Sequence, residues 1–283
     1  MDSKLRQLQL CELEILDEFV RVCEKNKLQY YLVGGTLLGA VRHQGFIPWD
    51  DDIDVAMPRE DYDKFAEIAA SELGAQYFYQ SPETDPHYFL TYAKIRKNGT
   101  EVYEERFKGA KFHKGVFIDI FPLDFCPKPG PVCHFLFNVL AVMNYRGQVD
   151  SGEAYRPYEE LSGKIGYAVL GLFSPRGLVQ LRRKLLSLSK RLSHRQFVAN
   201  YPGAYGYRKE VFPYGWYENV AQLSFEDRTF AAPTGFDKIL RRAYGEDYLS
   251  LPPEEKRRQH ISVDRVDLKG ESDYGKEKES SLF

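Results

Sequence analysis

The first 125 residues alternate between helical and strand patterns of hydrophobic and polar positions. The N-terminal segment predicts an amphipathic helix that ends near Lys27, because its apolar side chains recur at helical spacing. Those apolar positions are Leu13, Leu16, Val20 and Cys23, and the acidic positions assigned to the polar face are Glu12, Glu14, Asp17 and Glu18. Short apolar runs with strand character follow, separated by predicted helices over 37–43 and 59–73, and this alternation predicts an α/β or α+β domain. The strand candidates are residues 30–33, 53–57, 76–80, 89–95 and 116–121.

The pattern changes after the Pro- and Gly-rich segment 127–131. Residues 132–200 contain apolar runs and helix-compatible stretches with little strand pattern, whereas residues 201–217 are rich in Tyr, Gly and Pro and predict a loop. A helix is expected again over 235–244, within otherwise mixed sequence. The predicted units are a core over 1–125, a mostly helical insertion over 126–220, a C-terminal part of the same domain over 221–268 and a disordered tail over 269–283.

Composition and charge exclude several functional classes. The chain has 283 residues, which is enough to bury a core, and its 39 basic and 41 acidic residues give a net charge of −2. A sequence pI of about 6.3 argues against a basic coat for nucleic acid. The longest stretch without a strongly polar residue, 165–173, is about half of a membrane span, and the acidic start does not resemble a signal peptide. We therefore expect a cytoplasmic protein whose four cysteines are free thiols.

Candidate chemistry is concentrated between residues 30 and 58. Gly34 and Gly35 end a predicted strand and let backbone N–H groups approach a ligand closely, and Thr36 opens a helix whose N-terminus favours phosphate. Asp52 and Asp54 follow at the strand period of two, so both carboxylates are expected on one face, where they repel unless a cation lies between them. Hard oxygen ligands of this kind predict Mg²⁺ or Mn²⁺.

Plainer interpretations of these acids remain open. The run Asp50 to Asp54 is compatible with a solvated acidic turn, although the apolar Ile53 and Val55 and the preceding Gly-Gly turn favour a functional site. Asp119 is the candidate third carboxylate, because a charge within an apolar strand is costly if it is buried unpaired. The alternative for Asp119 is an edge-strand charge that faces water, and Asp124 is the second candidate for the third carboxylate.

Three segments of the chain resemble the LicD family of phosphotransferases, relatives of fukutin-related protein within the nucleotidyltransferase superfamily. They are GGTLLGAVRHQGFIPWDDDIDVAMPREDYDKF, IDIFPLD and YGEDYLSLPPEEKRRQH. The resemblance implies an α+β fold, with a nucleotidyltransferase-like mixed sheet as the catalytic core and a mostly helical insertion. It also implies transfer of phosphocholine from CDP-choline, or of a similar phospho-alditol from its CDP form, to a cell-surface glycan such as teichoic acid or lipopolysaccharide. In this scheme Asp52, Asp54 and Asp119 hold the metal and are the catalytic residues.

Other residues are candidates for binding the donor. Gly34, Gly35 and Thr36 are expected to contact phosphate oxygens. Arg42 is expected to reach the same anion, as are Lys94 and Arg96, which share a strand face. Ordinary surface charge is the alternative for the three basic residues. These candidates are Gly34, Gly35, Thr36, Arg42, Lys94 and Arg96.

A choline group would need aromatic faces around its quaternary ammonium. Trp49 is the candidate nearest the acidic motif in sequence, and Tyr214, Trp216 and Tyr217 form a second cluster. Packing in the core is the alternative for both sets. The role of His260 is open between a contact with the donor and a structural position.

A basic amphipathic helix is predicted from Ser174 onwards. Between Arg176 and Arg195 there are seven basic residues and no acid, with leucines repeating at helical spacing. Residues 165–195 therefore predict a peripheral contact with an anionic membrane, which would place the protein on the inner face of the plasma membrane and near a lipid-linked acceptor. A core helix with a solvated basic face is the alternative.

Two other functions are compatible with the acidic motif. A glycosyltransferase also uses an Asp-x-Asp motif to bind a metal and a nucleotide sugar, but such enzymes usually have a longer nucleotide-binding region before it than the 51 residues that precede Asp52. A non-catalytic sugar- or nucleotide-binding module on the same fold is the other alternative. Intact carboxylates at all three expected positions argue against it.

Overall fold

A mixed β-sheet with helices packed around it forms the body of the protein. The computed structural model describes residues 3–153, 161–257, 259, 261 and 263–268, so His260 and the predicted tail over 269–283 lie outside the described residues. The helices are α1 (Ser3–Lys25), α2 (Gly34–His43), α3 (Arg59–Glu72), α4 (Pro131–Asp150), α5 (Leu161–Leu170), α6 (Pro175–Arg191), α7 (Tyr207–Glu210) and α8 (Phe236–Tyr244). The strands are β1 (Tyr31–Leu32), β2 (Asp54–Pro58), β3 (Tyr77–Gln80), β4 (Ala93–Lys97), β5 (Phe117–Cys126), β6 (Phe197–Ala199), β7 (Val211–Pro213), β8 (Val220–Phe225) and β9 (Arg228–Pro233). Short 3-10 helices span Glu105–Phe107, Tyr214–Trp216, Glu254–Lys256 and Val263–Arg265.

The main sheet combines parallel and antiparallel pairs. Within the described residues it has seven strands, in the order β1-β2-β5-β4-β3, and β6 and β7 continue from the second half of β5. β2 and β5 run parallel, whereas the other neighbours in the sheet are antiparallel. β8 and β9 form a separate hairpin. This mixed sheet with its surrounding helices confirms the predicted α+β class.

The N-terminal helix α1 covers the sheet with the predicted apolar face. Leu13, Leu16 and Cys23 are buried in the main hydrophobic core. The assignment of Glu12 to the polar face is wrong, because its side chain is fully buried. Glu12 lies one helical turn from Leu8 and from Leu16, so it shares their inward stripe.

The β4 region differs from the predicted strand over 89–95. β4 begins only at Ala93. Before it, the alternating Tyr88, Leu90 and Tyr92 pack into a second, smaller hydrophobic cluster. The apolar alternation in this segment therefore reflects cluster packing and not pairing with a neighbouring strand.

The segment predicted as helix and loop also contributes strands to the sheet. β5 extends through Pro122 to Cys126, beyond its predicted end at residue 121, because its second half pairs with β6. The predicted loop over 201–217 contains α7 and β7, and the buried Val211 and Phe212 explain why this stretch pairs with β6. The hydrophobic pattern does not predict the β8–β9 hairpin.

The first part of the leucine stripe of α6 faces inward, whereas Leu188 and Leu192 at its end are exposed. Leu178 is buried, and Leu181 and Leu185 pack against the same hydrophobic cluster as α4. This packing agrees with the core-helix alternative for the first part of the stripe only. No helix among the described residues is both long and apolar enough to cross a membrane.

Candidate active site

The two glycines at the start of α2 make room for carboxylates. Gly34 has a φ of +57°, and a Cβ there would lie 2.8 Å from Oδ2 of Asp54. A Cβ on Gly35 would lie 2.7 Å from Oδ2 of Asp50. The absence of a Cβ at Gly34 and Gly35 therefore lets the carboxylates of Asp54 and Asp50 lie close to the backbone. A ligand could approach the same backbone. Both carboxylates reach the N-terminal turn of a helix, where negative charge is favoured.

Thr36 fixes the start of the neighbouring strand. Its buried Oγ1 accepts a hydrogen bond of 2.8 Å from the backbone N–H of Asp54. The backbone N–H of Val33 donates to the carbonyl of Asp54 at 3.2 Å. α2 and β2 are therefore joined at Asp54, and the expected phosphate contact of Thr36 stays a prediction.

Asp119 lies beside Asp54 in the sheet. A third carboxylate of the same metal site would have to occupy such a position. The two residues are register partners on the parallel strands β2 and β5. Lys94 is the register partner of Asp119 on the other side, and its ammonium donates a hydrogen bond to Asp119 Oδ1. Because both Asp119 and Lys94 are buried, a water-facing edge charge is wrong for Asp119 and a surface charge is wrong for Lys94.

Asp50, Asp51 and Asp52 form the turn that precedes β2. One carboxylate oxygen from each lies within 4.8 Å of the others. Asp52 lies two residues before the first residue of β2, and its charge is the strongest of those that act on Asp54. The expected common face of the two carboxylates stays a prediction. Asp51 is buried, and its Oδ2 accepts a 2.5 Å hydrogen bond from the backbone N–H of Ile261. The sequence showed this run of acids, but not that Asp50 and Asp51 turn inward.

The electrostatics of the acidic cluster, defined as Asp50, Asp51, Asp52, Asp54 and Asp119, favour a bound cation. Burial, followed by the charge of Asp52, raises the pKa of both Asp54 and Asp50 well above the usual range. Burial also raises the pKa of Asp119, although the ammonium of Lys94 opposes this shift. Carboxylates held together in this way share a cation or a proton. Oxygen ligands alone suit Mg²⁺ or Mn²⁺, so the donor set fits the expected metal.

Comparisons with known proteins identify the family of the chain. A family profile described as "LicD/FKTN/FKRP, nucleotidyltransferase domain" matches residues 27–138, which include all five members of the acidic cluster. The chain is 33% identical over 262 residues to the lipopolysaccharide cholinephosphotransferase LicD of Haemophilus influenzae, covering 90% of this chain and 95% of that protein. This protein belongs to the LicD family. It also matches the ribitol 5-phosphate transferase FKRP of Homo sapiens, at 39% identity over 69 residues, which are 23% of this chain and 14% of that protein. The predicted phosphotransferase class is thereby confirmed.

Arg96 occupies a different environment in this LicD-family protein from the one expected. It is fully buried in β4, and its guanidinium donates to Oε1 of Gln80 at 2.7 Å and to the carbonyl of Gly115 at 2.8 Å. Its Nη2 lies 4.0 Å from Oε2 of Glu104. A surface charge is therefore wrong for Arg96. Its structural contacts are to buried protein groups, and its proposed contact with the donor stays a prediction.

Arg42 and Trp49 contact the segment that follows α8. Arg42 Nη1 donates to the carbonyls of Tyr248 and Ser250, both at 3.1 Å. The guanidinium of Arg257 lies 4.6 Å from the ring centroid of Trp49. Both contacts join the LicD-like segment over 244–260 to the acidic motif, which explains why two parts of the chain so distant in sequence share one family pattern.

A second set of predicted residues lines a cavity at the opposite end of β2 and β5. The cavity has a volume of about 860 Å³, and its walls include Pro58, Asp124, Tyr214 and Tyr217. Asp54 to Pro58 spans about 13 Å of strand, so these residues lie far from the acidic cluster. Asp124 accepts hydrogen bonds of 2.7 and 2.9 Å from Arg59 and is an ion-pair partner there. It is therefore not the third carboxylate. The remaining member of the aromatic set, Trp216, stacks against Arg242 at 4.4 Å.

The sequence reasoning missed an aromatic pair beside the acidic cluster. The hydroxyls of Tyr205 and Tyr244 lie 2.8 Å apart, and the two rings meet at 74° with centroids 5.6 Å apart. Burial raises the pKa of Tyr205 to about 12, and the charge of Asp54 contributes. Burial likewise raises the pKa of Tyr244, with a contribution from Asp54 and Asp50. Tyr244 is the first residue of the third LicD-like segment, and this position could have identified it from the sequence. Tyr205 lies in the stretch predicted as loop, where nothing in the pattern identifies it.

Proposed function

We propose that this LicD-family protein transfers phosphocholine, or a similar phospho-alditol, from a CDP-activated donor to a hydroxyl of a cell-surface glycan such as teichoic acid or lipopolysaccharide. CDP-choline is the favoured donor, because the related LicD protein of Haemophilus influenzae is named a cholinephosphotransferase. The match to a ribitol 5-phosphate transferase keeps an alditol donor as the second candidate. The observation that carries the proposal is the convergence of Asp52, Asp54 and Asp119 beside the N-terminus of α2.

Mg²⁺ or Mn²⁺ is the proposed cofactor, with Asp52, Asp54 and Asp119 as its ligands. When bound, the ion would neutralise the diphosphate of the donor and lower the pKa of the acceptor hydroxyl. Lys94 keeps the carboxylate of Asp119 in place, and Thr36 keeps the backbone of Asp54 in place. These contacts hold two of the three proposed ligands before any substrate binds, which is the pre-organisation that such a site needs.

The proposed reaction is an in-line displacement at phosphorus. The acceptor oxygen forms a new bond to the phosphorus that carries choline, and the bond from that phosphorus to the oxygen of the leaving CMP breaks. The hydroxyl proton passes to a carboxylate of the acidic cluster. The N-terminal turn of α2, which begins at Gly34, favours the negative charge of the donor phosphates through its backbone N–H groups.

Tyr205 and Tyr244 are the proposed contacts for the choline group. Their rings pack edge to face with centroids 5.6 Å apart, and a cation is attracted to an aromatic face within about 6 Å. Their proximity to Asp54 supports this choice over Tyr214 and Tyr217, which line the distant cavity. Trp49 remains a second candidate, and its ring has Arg257 at 4.6 Å, closer than Lys209 lies to the ring of Tyr205 at 5.9 Å.

A donor assay tests the proposed function. The purified protein is incubated with CDP-choline, CDP-ribitol or CDP-glycerol, with Mg²⁺, Mn²⁺ or EDTA, and CMP release is followed in the presence of candidate glycan acceptors. Release of CMP that depends on both metal and acceptor is the expected result. Transfer from a nucleotide sugar would instead support the glycosyltransferase alternative, and binding without turnover would support the non-catalytic module.

We also propose a peripheral membrane contact through residues 165–195. Its support is a set of exposed apolar side chains on α4, α5 and the turn after α5, the most exposed being Leu172 at 85%. Some of the basic side chains form ion pairs within the protein, since Arg183 pairs with Glu83 and Lys190 with Glu60.

Co-sedimentation with anionic and neutral vesicles tests the membrane contact. Binding to anionic vesicles that is lost in Leu172→Ser is expected, and absence of binding to either vesicle would contradict it. The exposed side chains are Val132, Phe135, Ile165, Val169, Leu172 and Phe173.

A further inference from the structure

Glu12, on the helix that covers the sheet, lies beside the acidic cluster. Its side chain has no exposed surface, and neither carboxylate oxygen has a hydrogen-bond partner among the described residues. The charges that act on it most strongly are those of Asp52, Asp51, Asp50 and Asp119, all of its own sign. The helix therefore carries an unsatisfied carboxylate into a group of carboxylates.

A neighbouring polar residue shows how unusual this arrangement is. Gln9 lies one helical turn before Glu12 and is equally buried. Its amide donates to the backbone carbonyl of Asp50 at 2.9 Å and accepts from Arg6 at 3.3 Å. Hydrogen bonds thus account for Gln9. They do not account for Glu12, and a buried carboxylate without partners is strongly unfavourable.

We propose that Glu12 is a further carboxylate of the divalent-cation site and faces the ion from the side of α1. This inference rests on the metal dependence in the proposed function. A shared cation would supply the positive charge that the acidic neighbours of Glu12 lack, and it would explain why an otherwise apolar stripe between Leu8 and Leu16 contains an acid. Whether Glu12 contacts the ion directly or through one of its waters, the affinity for the ion depends on its charge.

Calorimetric titration with MnCl₂ tests the assignment. Glu12→Gln keeps the size of the side chain and removes its charge, and we expect Mn²⁺ to bind at least about ten-fold more weakly than to the unmodified protein. Glu24→Gln is the matched control, because Glu24 is an exposed glutamate on the same helix. Its Mn²⁺ affinity should equal that of the unmodified protein. Glu12→Met, which fits beside Leu8 and Leu16, provides a second variant with the same expected loss.

Thermal unfolding provides an independent readout. Without metal, Glu12→Gln should raise the Tm, since a buried acid beside like charges has been removed, and Mn²⁺ should raise its Tm less than that of the unmodified protein. A lower metal-free Tm with unchanged Mn²⁺ affinity would show a merely structural role and overturn the inference. Failure of the unmodified protein to bind Mn²⁺ would remove the proposed metal dependence and the role of Glu12 together. Normal Mn²⁺ binding by both the unmodified protein and Glu12→Gln would overturn the role of Glu12 alone.

Discussion

Asp54 and Asp119 are direct register partners on the two parallel strands at the centre of the sheet. Lys94 continues the same row on the next strand. Directly opposed residues on adjacent strands point to the same face of a sheet, so the row places two acids and one base at a single level. The turn that carries Asp50 to Asp52 comes just before β2, and this order brings the remaining aspartates to that level.

Removal of a proposed metal ligand should abolish turnover without unfolding the protein. We expect Asp52→Asn and Asp54→Asn each to lower kcat/KM by at least about a hundredfold, because each weakens the binding of the ion that stabilises the transition state. The Tm of the metal-free protein should not fall, since one of several mutually repelling acids is neutralised. CMP release and thermal unfolding measure the two effects. Asp63→Asn, at an exposed position of α3, is the control, and full activity in either site variant would contradict the metal assignment.

Gly35→Ala should act on the acidic cluster through Asp50. A glycine-to-alanine change at a compatible helical position usually stabilises a protein by about 0.5–1 kcal/mol. Here the new Cβ would lie 2.7 Å from Oδ2 of Asp50, so the carboxylate must move, and we expect weaker Mn²⁺ binding and no gain in stability. Gly109→Ala is the matched control, because no atom lies within 4 Å of the position that its new Cβ would take. Unchanged Mn²⁺ affinity in Gly35→Ala would show that the position of Asp50 is not important for the site.

The sequence allowed prediction of the parts of the site that are local in the chain. Gly34, Gly35 and the aspartates up to Asp54 lie within one short segment whose spacing already indicates an anion- and cation-binding turn. Asp119 could be identified as well, because an acid within a β-branched and aromatic run is conspicuous. The helix and strand periods depend on near neighbours along the chain and predicted an α/β or α+β domain, and the resemblance to the LicD family narrowed this to α+β.

Contacts between distant segments could not be predicted in this way. Glu12 was assigned to the polar face of α1 because it is an acid. Its inward position depends on the acidic residues of the sheet beneath the helix, which the local pattern does not contain. Tyr205 lies in a stretch rich in turn-forming residues, and its pairing with Tyr244 depends on tertiary packing. The strand β6 is too short for its period to be recognised, and pairing with the extended β5 determines it.

Loss of the buried base should destabilise the protein. Lys94→Met leaves the carboxylate of Asp119 buried without its ion-pair partner, and breaking such a pair costs about 3–5 kcal/mol. Denaturant unfolding measures the change in the free energy of unfolding. The double variant Lys94→Met/Asp119→Leu should recover a large part of the loss, because neither member of this ion pair then remains. Equal destabilisation in the single and double variants would show that packing of the lysine chain, and not its charge, is responsible.

The tyrosine pair should determine the preference for a choline donor. Tyr205→Leu or Tyr244→Leu removes an aromatic face, and a cation–π contact of about 0.5–2 kcal/mol predicts a rise of roughly 2- to 30-fold in KM for CDP-choline. Tyr205→Phe keeps the face and loses the hydroxyl contact with Tyr244, so its effect on KM should be small. KM for CDP-ribitol should change little in all three variants. An equal rise for both donors would indicate that the pair shapes the site in general and does not recognise choline.

Glu210 should make the stability of the protein depend on pH. Burial is the main cause that raises its pKa from the ordinary 4.5 to about 7. Between these two values the folded state binds more protons than the unfolded state, so the contribution of Glu210 is fully present below pH 4.5 and is lost as the pH rises through 7. The lost stability is on the order of 3 kcal/mol. Glu210→Gln should flatten the free energy of unfolding across this window, whereas Glu218→Gln at an exposed position should leave the slope unchanged. An unaltered slope in Glu210→Gln would show that other buried acids dominate the pH dependence.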